Sequence, residues 1–170
     1  LKTRLLRDGN LQLENVLIAG NDGERGDALW VEAGNVANVT VGMNYVTLAD
    51  NYRTAPDAGA AVHAGGAQAL FTLNNTLISG SPTAFEAQNN GQPSTLTLHN
   101  VLIDNNVGTV SSGTITVNGT PLRGAAGYVN AGAGDFHLTA ASGAVDKGNG
   151  LPPAVDLDGT VRPQGATTDI

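Results

Sequence analysis

Four segments of this 170-residue chain carry one pattern: "LENVLIAGN" (13–21), "MNYVTLADN" (43–51), "LNNTLISGS" (73–81) and "LHNVLIDNN" (98–106). Each holds two short alternating apolar runs separated by a single residue, Asn15, Tyr45, Asn75 or Asn100. A looser fifth copy runs to Leu122 with Gly119 at the separating position. Aligned, the copies give four apolar columns. The first is Leu11, Val41, Phe71, Leu96 and Ile115; the second is Leu13, Met43, Leu73, Leu98 and Val117. Beyond the separator come Val16, Val46, Thr76, Val101 and Thr120, then Ile18, Leu48, Ile78, Ile103 and Leu122. Strict alternation puts all four columns on an inward face. The copies lie 30, 30, 25 and 19 residues apart, so the unit keeps its strands and varies its loops.

Repeats of this length build solenoids, propellers or arrays. The hairpin signals of a propeller blade are mostly missing between the repeats, Asn118-Gly119 at the last turn being an exception. A second strand precedes each repeat: "ALWVEAG" (28–34), "AAVHAGG" (60–66), "TAFEAQN" (83–89) and "GTVSSG" (108–113), with Val31, Val62, Phe85 and Val110 as its inward column. Each repeat then reads as one coil whose strands pair in parallel with the next coil, about 4.8 Å away. Parallel crossovers wind right-handed. The expected fold is all-β: a right-handed parallel β-helix of about five coils over 1–122, with an irregular C-terminal capping segment over 123–170. The separating Asn fits a one-residue bend, because it tolerates the left-handed conformation such a bend requires. Stacked carboxamides also hydrogen-bond along the axis. Gly119 meets the same backbone need, whereas Tyr45 does not, so the second coil is expected to turn differently.

Composition agrees with that architecture and narrows the partners. The chain has 23 Gly and only 14% charged residues, which suits short strands and tight turns. Its formal charge of −7 disfavours nucleic acid and anionic lipid. No apolar run reaches the length of a transmembrane helix, and the absence of Cys excludes disulfides and thiolate metal sites. "LKTRLLRDGN" lacks the apolar core of a signal peptide and starts in mid-pattern, as in a piece of a longer, processed polypeptide.

The columns and the Asn positions resemble the pectin-lyase-like superfamily of β-helices. The tail "GDFHLTAASGAVDKGNG…DLDGTVRPQGATTDI" (134–170) is more specific. Through Gly134-Asp135-Phe136, Leu138, Ser142, Ala144-Val145-Asp146, Gly148, Asp156-x-Asp158-Gly159, Arg162-Pro163 and Asp169-Ile170 it resembles the C-terminal module of bacterial choice-of-anchor Q-type surface proteins. Polymorphic outer-membrane proteins carry related coils. The resemblance implies a secreted or cell-surface bacterial β-helix, and by itself no reaction.

Three clusters could carry chemistry. If Val31, Val62 and Phe85 point inward, Glu32, His63 and Glu86 point outward in one stack, with Trp30 beside Glu32. Two carboxylates and a His suit acid–base work on a sugar, and an exposed Trp suits stacking on one. Arg25 and Arg53, in the preceding loops, could add a basic group. The plain alternative is a solvated polar stripe. "NDGERGD" (21–27) offers Asp22, Glu24 and Asp27 to calcium but lacks the ordered spacing of an EF-hand, and reads equally as a polar turn. "DLDG" (156–159) offers Asp156 and Asp158, yet Asp-Gly is first a turn signal. With Asp146 and Asp169 these carboxylates are expected to tie down loop amides and to pair with Arg162.

The reading at this level is a non-catalytic extracellular module: a stalk, adhesin-like or assembly unit with a face suited to a polysaccharide or cell-surface glycan, and no cofactor beyond a conceivable Ca2+. Two alternatives stand beside it. One is a polysaccharide lyase or epimerase acting through Glu32, His63 and Glu86. The other is a self-assembling fibre subunit joined through an uncapped solenoid end.

Overall fold

A computed structural model describes residues 2–5, 8–22, 28–33, 38–51, 59–66, 68–89 and 93–170. In chain order the coil strands are β1 (Lys2–Leu5), β2 (Gly9–Ala19), β3 (Leu29–Ala33), β4 (Val39–Ala49), β5 (Ala60–Gly66) and β6 (Ala69–Ile78). They continue as β7 (Thr83–Asn89), β8 (Ser94–Asp104), β9 (Thr109–Gly113), β10 (Ile115–Asn118) and β11 (Leu122–Gly124). Odd-numbered strands stack as β1-β3-β5-β7-β9, and the long strands as β2-β4-β6-β8-β10, with β11 also on β8. Every one of these pairings is parallel. The fold is a parallel β-helix of five coils.

The core is the tube enclosed by these strands. Leu11, Val41, Phe71 and Leu96 are in register, as are Leu13, Met43, Leu73 and Leu98. Val41, Phe71, Leu73 and Ile103 are no more than 1% exposed. Burying one such side chain contributes about 1.5–3 kcal/mol, and the columns supply them continuously along the axis.

Each long strand bends once, and the bend falls on the separating residue. Asn15, Tyr45, Asn75 and Asn100 have φ of 54°, 53°, 46° and 58°. Tyr45 therefore adopts the same left-handed conformation as its Asn counterparts, contrary to the expectation from its side chain. Contacts to the tail hold it there: its hydroxyl donates to the Asn149 carbonyl at 3.4 Å, and the Arg162 guanidinium lies 5.1 Å from its ring centroid.

Several details of register also differ from the sequence alignment. In the last coil Val117, not Ile115, stands opposite Leu96, and Leu122 stands opposite Leu102 instead of Ile103. Leu122 accordingly faces outward, 38% exposed. Gly119 still has a positive φ of 94°, but it passes against the backbone of Leu98 and not Asn100. In the other sheet Leu29, Val62, Phe85 and Ser111 are in line, so Val31 meets Ala64 and Val110 lies one position before Ser111.

Beyond β11 the chain makes a small antiparallel pair, β12 (Tyr128–Asn130) and β13 (Asp135–Leu138), and then an irregular segment of turns and bends to Ile170. A second apolar cluster joins this part to the coils. Leu77 and Leu102 point out of the tube and are covered by Ala126, Ala144 and Ile170, with Tyr128 and Leu138 against them.

Candidate functional site

The outward face of the odd-numbered strands is the first site to place. Register sets Trp30, His63, Glu86 and Ser112 in one line, while Glu32 stands opposite Arg4 and Gly65. The Glu32–His63–Glu86 stack is thus replaced by Trp30–His63–Glu86, because Leu29 rather than Val31 pairs with Val62. The His63 and Trp30 rings meet edge to face at 5.7 Å between centroids. His63 Nδ1 lies 3.2 Å from Glu86 Oε2, and the other Glu86 oxygen accepts from Gln88 Nε2 at 2.7 Å. His63 is only 2% exposed. A polymer lying on this face reaches Glu86 and part of Trp30 but not the imidazole. Arg25 and Arg53 lie outside the described residues.

The separating residues form the second feature. Asn100 Nδ2 donates to Asn75 Oδ1 at 2.9 Å, the expected ladder bond. Below Asn75 the ladder meets Tyr45, which has no side-chain carboxamide, and the tail takes over. Asn75 Nδ2 donates to the Asn149 carbonyl at 2.8 Å, and Asn75 Oδ1 accepts from the Asn149 amide at 2.8 Å. Asn100 also donates to the Lys147 carbonyl, and Asn15 to the Val155 carbonyl at 3.2 Å. Asn15 Oδ1, next to Tyr45 instead of Asn, is buried without a hydrogen-bond donor among the described residues. Residues 147–155 therefore run back along the coils, bonding to the fourth, third, second and first in turn.

A further polar column was not anticipated. Asn51 is fully buried, and its Nδ2 donates to the Ile18 carbonyl at 2.7 Å. Its Oδ1 accepts from Asn21 Nδ2 at 2.8 Å, and its own carbonyl accepts from the Ser81 hydroxyl. The final letters of the repeated segments (Asn21, Asn51, Ser81) carry the signal, which is a second ladder at the exit of each coil.

Between the tail and the outward face of β4, β6 and β8 lies a groove of about 560 Å³, lined by Asn44, Asn74, His99, Asn149 and Leu151 among others. A second depression of about 370 Å³ opens over Gly42, flanked by Gln12, Thr72 and Leu70, and shares Asn44 and Asn74 with the first. Volumes of this size suit small ligands. Among the described residues no Lys, Arg, Asp or Glu lines either one.

The tail carboxylates serve mainly as structural acceptors. Asp156 Oδ1 accepts from the amides of Asp158 and Thr160 at 3.0 and 2.7 Å. Asp146 Oδ1 accepts from Thr167 N, and Asp169 Oδ1 from Asp146 N. Arg162, expected to pair with them, instead donates to the Val155 carbonyl and covers Tyr45. Asp158 goes to His137, whose two ring nitrogens lie 2.6 Å from Asp135 and 2.7 Å from Asp158. Those two bonds raise the His137 pKa above its ordinary value, and the same contact lowers that of Asp135. Burial raises the Tyr128 phenol, which shares a 2.9 Å hydrogen bond with Ser79. Of the residues considered for calcium, Glu24 and Asp27 lie outside the described residues. Among the described residues, which include Asp22, no group of three or more His, Asp or Glu is placed to hold a metal ion. None of the described helices is long and apolar enough to cross a membrane.

Comparison with protein-family models, with curated proteins and with solved structures finds no match for this chain.

Proposed function

We propose that this chain is a non-catalytic β-helix module of the extracellular or cell-surface kind, a rigid scaffold of the pectin-lyase-like type with a choice-of-anchor Q-type tail. The observation that carries the reading is the strap: residues 147–155 hydrogen-bond to the bend residue of four successive coils. Local opening of one coil then breaks a tail contact as well as its own sheet bonds, which favours a stiff, cooperative rod. The burial of His63 against Glu86 supports a structural role for the pair that best suited acid–base chemistry. Incubation with a panel of polyuronates is the test. No unsaturated or shortened products are expected, and their appearance, lost in His63→Ala, overturns the reading in favour of a lyase.

One observation favours a second reading, end-to-end self-association. At the first coil Leu11, Leu13, Val16 and Ile18 are only partly buried, and among the described residues β2 pairs with β4 alone. That edge can accept a further parallel strand. Light scattering across a wide concentration range checks it, and a strict monomer counts against it.

A further inference from the structure

The paired depressions on the outward face of β2, β4, β6 and β8 have a chemistry of their own. Side chains there fall in rows along the axis: Glu14, Asn44, Asn74 and His99 in one, Gln12, Gly42, Thr72 and Thr97 in the next. Successive members lie one coil apart, about 4.8 Å, close to the length of one sugar residue in an extended polymer. Amides and hydroxyls dominate the rows, and each such group both donates and accepts, as sugar hydroxyls require. Gly42 leaves a notch in the face, with the Gln12 amide folded over it: a Cβ there would stand 2.0 Å from Gln12 Oε1. The tail supplies one wall through Asn149 and Leu151.

Two further facts indicate a ligand. Asn74 and His99 make no side-chain hydrogen bond to any described residue, although the neighbouring Asn44 is engaged by Glu14 at 3.0 Å. Apolar groups border the polar floor: Leu151 is 95% exposed on the tail side and Leu70 is 37% exposed over the second depression. Exposed Leu side chains flanking the free Asn74 amide and the His99 ring suit the mixed C–H and O–H surface of a pyranose. The described residues of the lining include no Lys or Arg, which disfavours uronate or sulfated chains, the more so on a protein of net charge −7.

We infer that this groove binds an uncharged oligosaccharide, extended along the solenoid axis across β4, β6 and β8, with Asn74 and His99 as the principal polar contacts. The inference rests on the scaffold reading and gives it a ligand class. It places binding on a different sheet from Trp30, His63 and Glu86.

The test is titration calorimetry of the whole chain with hexamers of β-1,4-glucose, β-1,4-mannose and β-1,4-xylose, and with hexagalacturonate as the anionic control. At least one neutral hexamer is expected to bind and the galacturonate not to bind. Asn74→Ala and His99→Ala should each weaken binding about three- to tenfold, the worth of one hydrogen bond, with an unchanged melting midpoint. Trp30→Ala should leave binding as it is. Failure of every neutral hexamer to bind, preference for the galacturonate, or loss of binding in Trp30→Ala but not Asn74→Ala overturns the groove. Chromatography of the same mixtures separates the two claims: intact sugars without binding sink the groove and leave the scaffold, whereas bound sugars that are cleaved sink the scaffold reading and leave the groove.

Discussion

Asn75 and Asn149 hold each other at both ends, the carboxamide of one bonding to the carbonyl and the amide of the other at 2.8 Å each. One side chain thereby imitates a strand neighbour and fixes the tail to the third coil. Asn75 is 4% exposed and also accepts from Asn100.

Replacing Asn75 by Ala removes these bonds and puts a residue without a compensating side chain in the left-handed region. Together the losses should cost about 2–4 kcal/mol in urea unfolding. Asn75→Gly keeps the bend and should cost roughly half as much. Equal losses in the two variants would falsify the backbone part of the argument.

Gly148 tests the strap without touching a coil. A Cβ there would stand 2.5 Å from the Thr168 carbonyl oxygen and 2.9 Å from that of Asp169, both backbone atoms with little room to move. Gly148→Ala should lower stability by about 1–3 kcal/mol and speed hydrogen exchange around Asn75 and Asn100. Unchanged exchange at those bends would show the strap to be energetically idle.

The corrected register of the last coil gives a paired experiment. Ile103 is fully buried in the tube, and Ile103→Asp should prevent folding, since an unpaired carboxylate there has no partner. Leu122→Asp, on the outward side, should cost less than about 1 kcal/mol. Circular dichroism of the two variants decides, and similar damage from both would restore the register expected from sequence.

His137 joins β13 to the 156–160 loop through Asp135 and Asp158, and its raised pKa sets the sign of a pH effect. A raised folded-state pKa means stabilisation that is complete below the unfolded value, about 6.5, and lost as pH rises through the folded value. Asp135, lowered, contributes above its unfolded value, about 3.9, and loses that contribution in acid. The clasp is therefore firmest between those limits. The melting midpoint of the wild type relative to His137→Gln should be highest near pH 5–6 and converge at higher pH, and a difference that stays flat would remove the clasp.

The coils were legible because burial imposes a period of two on every strand, and Leu13, Met43, Leu73 and Leu98 obey it without exception. The same period explains the two-residue errors, though not the one-residue displacements of Leu122 and Val110. A shift of two residues keeps every side chain on its face, so Leu29 and Val31, or Ile115 and Val117, compete equally for one place in a column. Only the neighbouring strand decides between them. Tyr45 was misjudged because its bend is upheld by Asn149 and Arg162, more than 100 positions away along the chain. The groove was hidden for a similar reason: Asn44, Asn74 and His99 read as ordinary solvent-facing residues until the tail walls them in.

A strap that touches Lys147 to the fourth winding, Asn149 to the third and second, and Val155 to the first is also a gauge. Inserting or deleting one winding in the middle would slide Asn15 about 4.8 Å from its partner, leaving the fastening out of step with its eyelets. Drift in repeat number, the usual liberty of solenoids, is closed to this one unless 147–155 changes length at the same time.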